Sequence, residues 1–157
     1  MFDVGCSIID HRASSVGLAS GVEAMFILEK RYAEEMVAHA KAEAPYEACG
    51  LLAGKDGQIV RLYRCQSAEK SPFRYVIEPK DQLKALREID ENGWELLGIY
   101  HSHTRSPAYP SKTDVELAFY PEATYLIISL MNPGQPAIRG FRIINGQVSE
   151  EELKIEG

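Results

Sequence analysis

The chain has 157 residues, 45% of them hydrophobic and 25% charged, which suits one globular domain with a core of its own and leaves no room for two full domains. Asp and Glu outnumber Lys and Arg by 23 to 17, a net charge of −6, and this argues against nucleic acid or an anionic membrane surface as a partner. The apolar stretches, such as Tyr125 to Met131, stop well short of the roughly 20 residues that cross a bilayer. Cys6, Cys49 and Cys65 form no CxxC pair, so neither a disulfide framework nor a cysteine zinc site is expected, and a reducing cytoplasm fits.

Taken in chain order, residues 1–24 hold Arg12 as their one strong base and no unbroken apolar run. They do not read as a secretory signal and are expected to be a weakly structured extension, with the working domain over 25–157. Met25 to Leu28 opens that domain as a first patterned strand. Lys30 to Ala44 lacks Gly and Pro, sets Tyr32, Met36 and Ala40 at helical spacing, and is stopped by Pro45; it reads as an amphipathic helix. Three strand-like runs follow, Ala48 to Ala53, Ile59 to Cys65 and Phe73 to Ile77, which together predict an antiparallel meander. Lys80 to Glu91 carries Leu83, Leu86 and Ile89 and ends at Asn92-Gly93, a second helix with its stop signal. A strand from Glu95 to His103, a loop rich in Pro and Ser, a short helix from about Lys112 to Tyr120 and an apolar strand from Thr124 to Leu130 come next. Ile138 to Ile144 and Gln147 to Leu153 close the chain around an Asn145-Gly146 hairpin turn. The acidic run Glu150 to Glu152 reads most simply as a solvated face.

The informative stretch is His101-Ser102-His103, then Thr104 to Pro110, then Ser111-Lys112-Thr113-Asp114. Residues two apart on a strand share a face, so the two imidazoles stand side by side, continuing the face of Leu97 and Ile99. Imidazole nitrogens suit zinc, and a catalytic zinc site commonly takes three His or carboxylate ligands; Asp114 is the natural third. Bland readings stand beside this one. A lone HxH is common by chance, and Ser111 with Asp114 is also a variant of the helix capping box. What carries weight is the conjunction of two same-face histidines, a Pro-bearing loop and a carboxylate in the first turn of a helix. A hydrolytic zinc site also needs a base that is not a ligand, and Glu47 is the candidate, since a carboxylate entering an apolar strand needs solvent or a function to receive it. A rival nucleophile pair of Cys49 with His101 or His103 competes with the simpler reading of Cys49 as a small buried hydrophobe.

Glu47 in the string Glu47 to Leu52, His101-Ser102-His103, and Ser111 with Asp114 after a seven-residue loop resemble the full signature of the JAMM (MPN+) metalloprotease family. The order of elements from Met25 to about Glu152 resembles that family's α/β (α+β) fold, a cytidine-deaminase-like, curved and mostly antiparallel sheet flanked by helices. The resemblance implies that His101, His103 and Asp114 bind zinc, that Glu47 is general acid and base, and that Ser111 helps hold the tetrahedral intermediate. One helix and three strands consume the residues after Asp114, so the chain is similar to minimal prokaryotic members. Those are associated with small ubiquitin-like sulfur-carrier proteins ending in Gly-Gly, from which they release cysteine or a longer adduct. The competing readings are a non-catalytic scaffold of the same fold and a broad metallopeptidase.

Overall fold

The computed structural model describes residues 25–157, so the expectation for residues 1–24, Cys6 included, lies outside the described residues. Strand β1 (Met25–Glu29) leads directly into helix α1 (Lys30–Glu43), then come β2 (Cys49–Lys55) and β3 (Gln58–Cys65), helix α2 (Pro79–Glu91), strand β4 (Glu95–His103), helix α3 (Lys112–Glu116), and strands β5 (Thr124–Ser129), β6 (Ala137–Ile144) and β7 (Gln147–Glu156). The strands make one sheet in the order β1-β7-β6-β5-β4-β2-β3. β1 runs parallel to β7 and β4 parallel to β5, while β3 with β2, β2 with β4, β5 with β6 and β6 with β7 are antiparallel. The edge strands β1 and β3 touch, so the sheet curls. Among the described residues no helix is long and apolar enough to cross a membrane.

Each face of the sheet carries its own core. On one face Tyr32, Met36 and Ala40 of α1 pack with Leu52, Tyr100, Leu126 and Ile128. On the other, Ala85 and Ile89 of α2 pack with Leu51, Ile99, Tyr125 and Ile127. Consecutive residues such as Leu51 and Leu52 therefore serve opposite cores, as strand alternation requires. Gly50 is needed because a Cβ there would stand 2.2 Å from the Tyr100 ring. Asn145 and Gly146 both take positive φ, 51° and 76°, the geometry of the tight hairpin turn that joins β6 to β7.

Five sequence expectations need correction. Phe73 to Ile77 is not a third meander strand: residues 66–78 form a narrow ribbon with one isolated bridge, Ser67 to Ile77. The second edge of β2 is taken by β4, and the ribbon satisfies its backbone internally, Ala68 N donating to Val76 O and Glu78 N to Gln66 O. Leu97 does not share the face of Ile99. The pairing jumps from Leu52 opposite Gly98 to Ala53 opposite Leu96, so Leu97 is the extra residue of a bulge, and beyond a bulge the alternation reverses. Leu97 packs with the α1 core, Leu96 and Ile99 with the α2 core. Leu83 is 49% exposed, because steps of three fall short of a helical turn and carry it roughly 120° around from Ile89. The helix after the Pro-bearing loop stops at Glu116 rather than reaching Tyr120. Glu151 is not a solvated charge; it is buried, taking a hydrogen bond from the Thr124 hydroxyl at 2.5 Å and pairing with Arg142.

Candidate metal centre

Strand direction brings the candidate residues to one end of the sheet. β4 ends at His103, and β2, running antiparallel beside it, starts at that same end with Cys49 opposite His101. Glu47, two residues before Cys49, is thereby delivered next to the imidazoles. Ser102, between the two histidines, ties the entry to β2 in place: its Oγ accepts from Ala48 N at 2.8 Å, and its N donates to Ala48 O at 3.1 Å. The loop 104–110 reverses the chain. It is fastened by Leu130 N donating to His103 O and by the Ser129 hydroxyl donating to Ser106 O, and it returns α3 over the end of the strand.

Ser111 is the N-cap of α3 in a reciprocal capping box: its Oγ accepts from Asp114 N at 3.0 Å, and its N donates to Asp114 Oδ2 at 2.9 Å. The same Oδ2 lies 3.1 Å from His101 Nε2 and 2.9 Å from His103 Nε2, and the two Nε2 atoms are 3.2 Å apart. Asp114 is therefore a cap and a member of the cluster at once, because a cap carboxylate at the third helical position points back toward whatever lies in front of the helix. His101, His103 and Asp114 are all buried and offer ligand atoms within one ion's reach. His103 Nδ1 is 2.8 Å from Pro107 O. As a carbonyl only accepts, that nitrogen carries the hydrogen, so Nε2 is the nitrogen whose lone pair is left for an ion whenever the ring is neutral. Two imidazole nitrogens and one carboxylate oxygen are a donor set that fits zinc.

Glu47 is 5% exposed and its Oε1 has no hydrogen-bond partner among the described residues. Burial pushes its carboxyl up to about 8; the charge of His103 pulls against this and that of Asp114 adds to it, which places Glu47 within electrostatic reach of both. Burial also opposes ionisation of Asp114, but hydrogen bonds from His101 and His103 hold it well below the usual carboxylate range. His101 is lowered by burial, against the pull of Asp114. For His103 burial is outweighed by the bonds to Asp114 and the Pro107 carbonyl, and its pKa is raised. A buried carboxyl whose pKa is raised, beside one whose pKa is lowered, is the unequal pairing that acid–base chemistry uses.

Cys49 is fully buried and burial drives its thiol far up, so it has no thiolate to offer as a nucleophile; Cys65, its cross-strand neighbour, is pushed up to about 12 for the same reason. Sequence reasoning passed over Ser102, the Pro107 carbonyl and Tyr75, whose ring stacks on His101 at 4.5 Å between centroids and 23° between planes. Ser102 was visible as the middle of HxH. Nothing in local pattern marks a carbonyl or a tyrosine 26 positions upstream.

The family described as prokaryotic homologs of the JAB domain matches residues 29–144. The chain is 38% identical over 140 residues to the "CysO-cysteine peptidase" of Mycobacterium tuberculosis, covering 88% of this chain and 96% of that one. It is 36% identical over 115 residues to the "Probable TtuB-protein conjugate cleaving protease" of Thermus thermophilus, 73% of each chain. A solved structure of a protein from Desulfitobacterium hafniense superposes with a TM-score of 0.74 at 42% identity, over 84% of this chain and 92% of that one.

Proposed function

This chain belongs to the family of prokaryotic homologs of the JAB domain, and on that premise we propose that it is a zinc-dependent hydrolase of peptide or isopeptide bonds, the metal held by His101, His103 and Asp114. The observation that carries the reading is the meeting of three buried ligand atoms, all within 3.2 Å of one another, near a buried carboxyl whose Oε1 has no hydrogen-bond partner among the described residues. Zinc bound there supplies Lewis acidity, polarising the scissile carbonyl and acidifying water. Glu47 takes the proton of the attacking water and passes it to the leaving amine. Its burial makes it a strong enough base for the first transfer and an acid for the second. Ser111 Oγ accepts from Asp114 N, which leaves its own hydrogen free to donate to the developing oxyanion. The capping bond thus aims the hydroxyl instead of competing with it.

The substrate we propose is a small ubiquitin-like sulfur-carrier protein cut after its Gly-Gly tail, with release of cysteine or another C-terminal adduct. The names of the relatives, a peptidase of CysO-cysteine and a protease of TtuB-protein conjugates, support this class. So does the setting of the cluster at a strand end, where residues without side chains let the substrate backbone come close to the metal. The free buried thiols of Cys49 and Cys65 support a cytoplasmic setting. The test is cleavage, read by mass spectrometry, of a carrier ending in Gly-Gly-Cys against the same carrier with both glycines changed to Ala, with metal content measured in parallel. Cleavage of the glycine form and one zinc per chain are expected. Equal cleavage of both, or faster cleavage of unstructured peptides, would replace the carrier reading with a broad metallopeptidase; zinc without cleavage would favour a scaffold.

A further inference from the structure

The two imidazoles of the cluster are oriented by different means. His103 donates Nδ1–H to the Pro107 carbonyl at 2.8 Å, the kind of contact that ordinarily fixes the ring of a metal-binding histidine. His101 has no such bond: its Nδ1 is buried and without a hydrogen-bond partner among the described residues. What lies on its ring is Tyr75, stacked at 4.5 Å and 23°.

Tyr75 comes from the ribbon 66–78, and the ribbon is held firmly. Ser67 Oγ accepts from Val76 N at 3.1 Å, Glu69 and Arg74 form an ion pair at 2.8 Å, and Gln66 N donates to Asp81 of α2 at 2.8 Å. The same ribbon reaches the proposed base through its backbone, Ser71 O accepting from Glu47 N at 2.9 Å. One irregular segment therefore contacts both the His101 ring and the backbone of Glu47.

We infer that Tyr75 is a positioning residue, its ring fixing the plane of the His101 imidazole and so aiming Nε2 at His103 and Asp114. It does with a flat face what the Pro107 carbonyl does for His103 with a hydrogen bond. The inference rests on the reading of the cluster as a metal centre. With no bond at Nδ1, the His101 ring is tied only at Nε2, toward Asp114, and its plane about that tie is set by packing, which restricts it best when the packing partner is flat and wide. A phenyl ring at position 75 keeps that restraint; an aliphatic side chain fills the space and loses it.

The experiment compares the wild-type chain with Tyr75→Phe and Tyr75→Leu. Zinc affinity is read by competition with a chromophoric chelator, and the carbon–proton resonances of the histidine rings are recorded on the metal-free protein. Tyr75→Phe is expected to bind zinc within about threefold of wild type and Tyr75→Leu about 10- to 100-fold more weakly, the range typical of groups that orient a ligand. Loss of the stacked tyrosine ring shifts the His101 ring signals by its ring current alone, so the readout is line width: those signals should broaden in Tyr75→Leu and stay sharp in Tyr75→Phe, with those of His103 sharp in both. A Tyr75→Leu protein with wild-type zinc affinity and His101 signals as sharp as those of the wild type overturns the inference. If the wild type takes up no zinc, the metal-centre reading fails, and the ring signals alone decide whether Tyr75 holds His101. Should Tyr75→Leu not fold, Tyr75→Met fills similar space without a flat face; failure of both to fold assigns Tyr75 to the core and overturns the positioning role.

Discussion

Glu47 and Ser111 occupy the same end of the sheet, and each can be separated from mere structure by a single substitution. Glu47→Gln removes the basic oxygen and keeps the shape. Because Oε1 has no hydrogen-bond partner among the described residues, no bond is lost there. The variant should fold, bind zinc as the wild type does, and lose turnover about 100- to 10,000-fold, the usual worth of a general base; a near-normal rate would remove Glu47 from the mechanism. Ser111→Ala deletes a cap that the structure shows in full and should cost about 1 kcal/mol, measured by denaturant titration. If the hydroxyl also donates to the oxyanion, turnover drops about 100- to 1,000-fold as well. Loss of stability with activity intact would leave Ser111 as a cap and nothing more.

At the scale of elements, β4 joins the two cores and the site. Its alternate residues face α1 and α2, the bulge at Leu97 resets the alternation, and past it Ile99 packs with the α2 core and Tyr100 with the α1 core. On the α1 side, His39 of the helix shares a hydrogen bond with the Tyr100 hydroxyl, 2.7 Å from Nδ1, with its ring edge-on at 5.8 Å. Burial, reinforced by the positive charge of Arg64, lowers the pKa of His39 below its ordinary 6.5. The unfolded chain therefore binds a proton at this residue at a pH where the folded chain still resists it. Stability contributed here is complete above pH 6.5 and drains away as pH falls toward the folded pKa, by up to about 1.4 kcal/mol per pH unit. Urea midpoints of the wild type and His39→Gln should converge as pH is lowered from 7 to 5. A constant gap between them would show that His39 does not titrate in that window.

For the molecule as a whole, the curl of the sheet makes β1 a closing strand rather than an ornament. It pairs with β7, and Phe26 and Leu28 bury themselves in the α1 core. We propose that the working domain is residues 25–157. A chain beginning at Met25 should unfold within about 2 °C of the 157-residue chain, a shift below about 1 kcal/mol for a domain of this size. A chain beginning at Lys30 gives up two buried side chains, worth roughly 1.5 to 3 kcal/mol each, and should unfold at a plainly lower temperature. If the Met25 form is as weak as the Lys30 form, residues 1–24 belong to the folded unit.

The sequence by itself determined the elements whose signals are local. The boundaries of β4, the stop of α2 at Asn92-Gly93, the Asn145-Gly146 turn and the capping box at Ser111 all follow from backbone preferences and from hydrogen bonds between residues at most four apart. The candidate cluster was legible for a related reason: His101, His103, Ser111 and Asp114 fall within fourteen residues, on a strand and helix whose periodicities say which way each points. Only the tertiary structure decided the rest. The partner of β2 depends on which strand reaches its free edge, so Phe73 to Ile77, with a strand's composition, became a ribbon once β4 had taken that place. The face of Leu97 depends on a bulge that exists only in the pairing of two distant strands. The placement of Glu47 beside the imidazoles, and of Tyr75 on His101, comes from antiparallel neighbours meeting at one end of a sheet. Glu47 and His103 are 56 positions apart and Tyr75 and His101 26, and no local rule carries information over such a distance, because burial and pairing are properties of the assembled sheet.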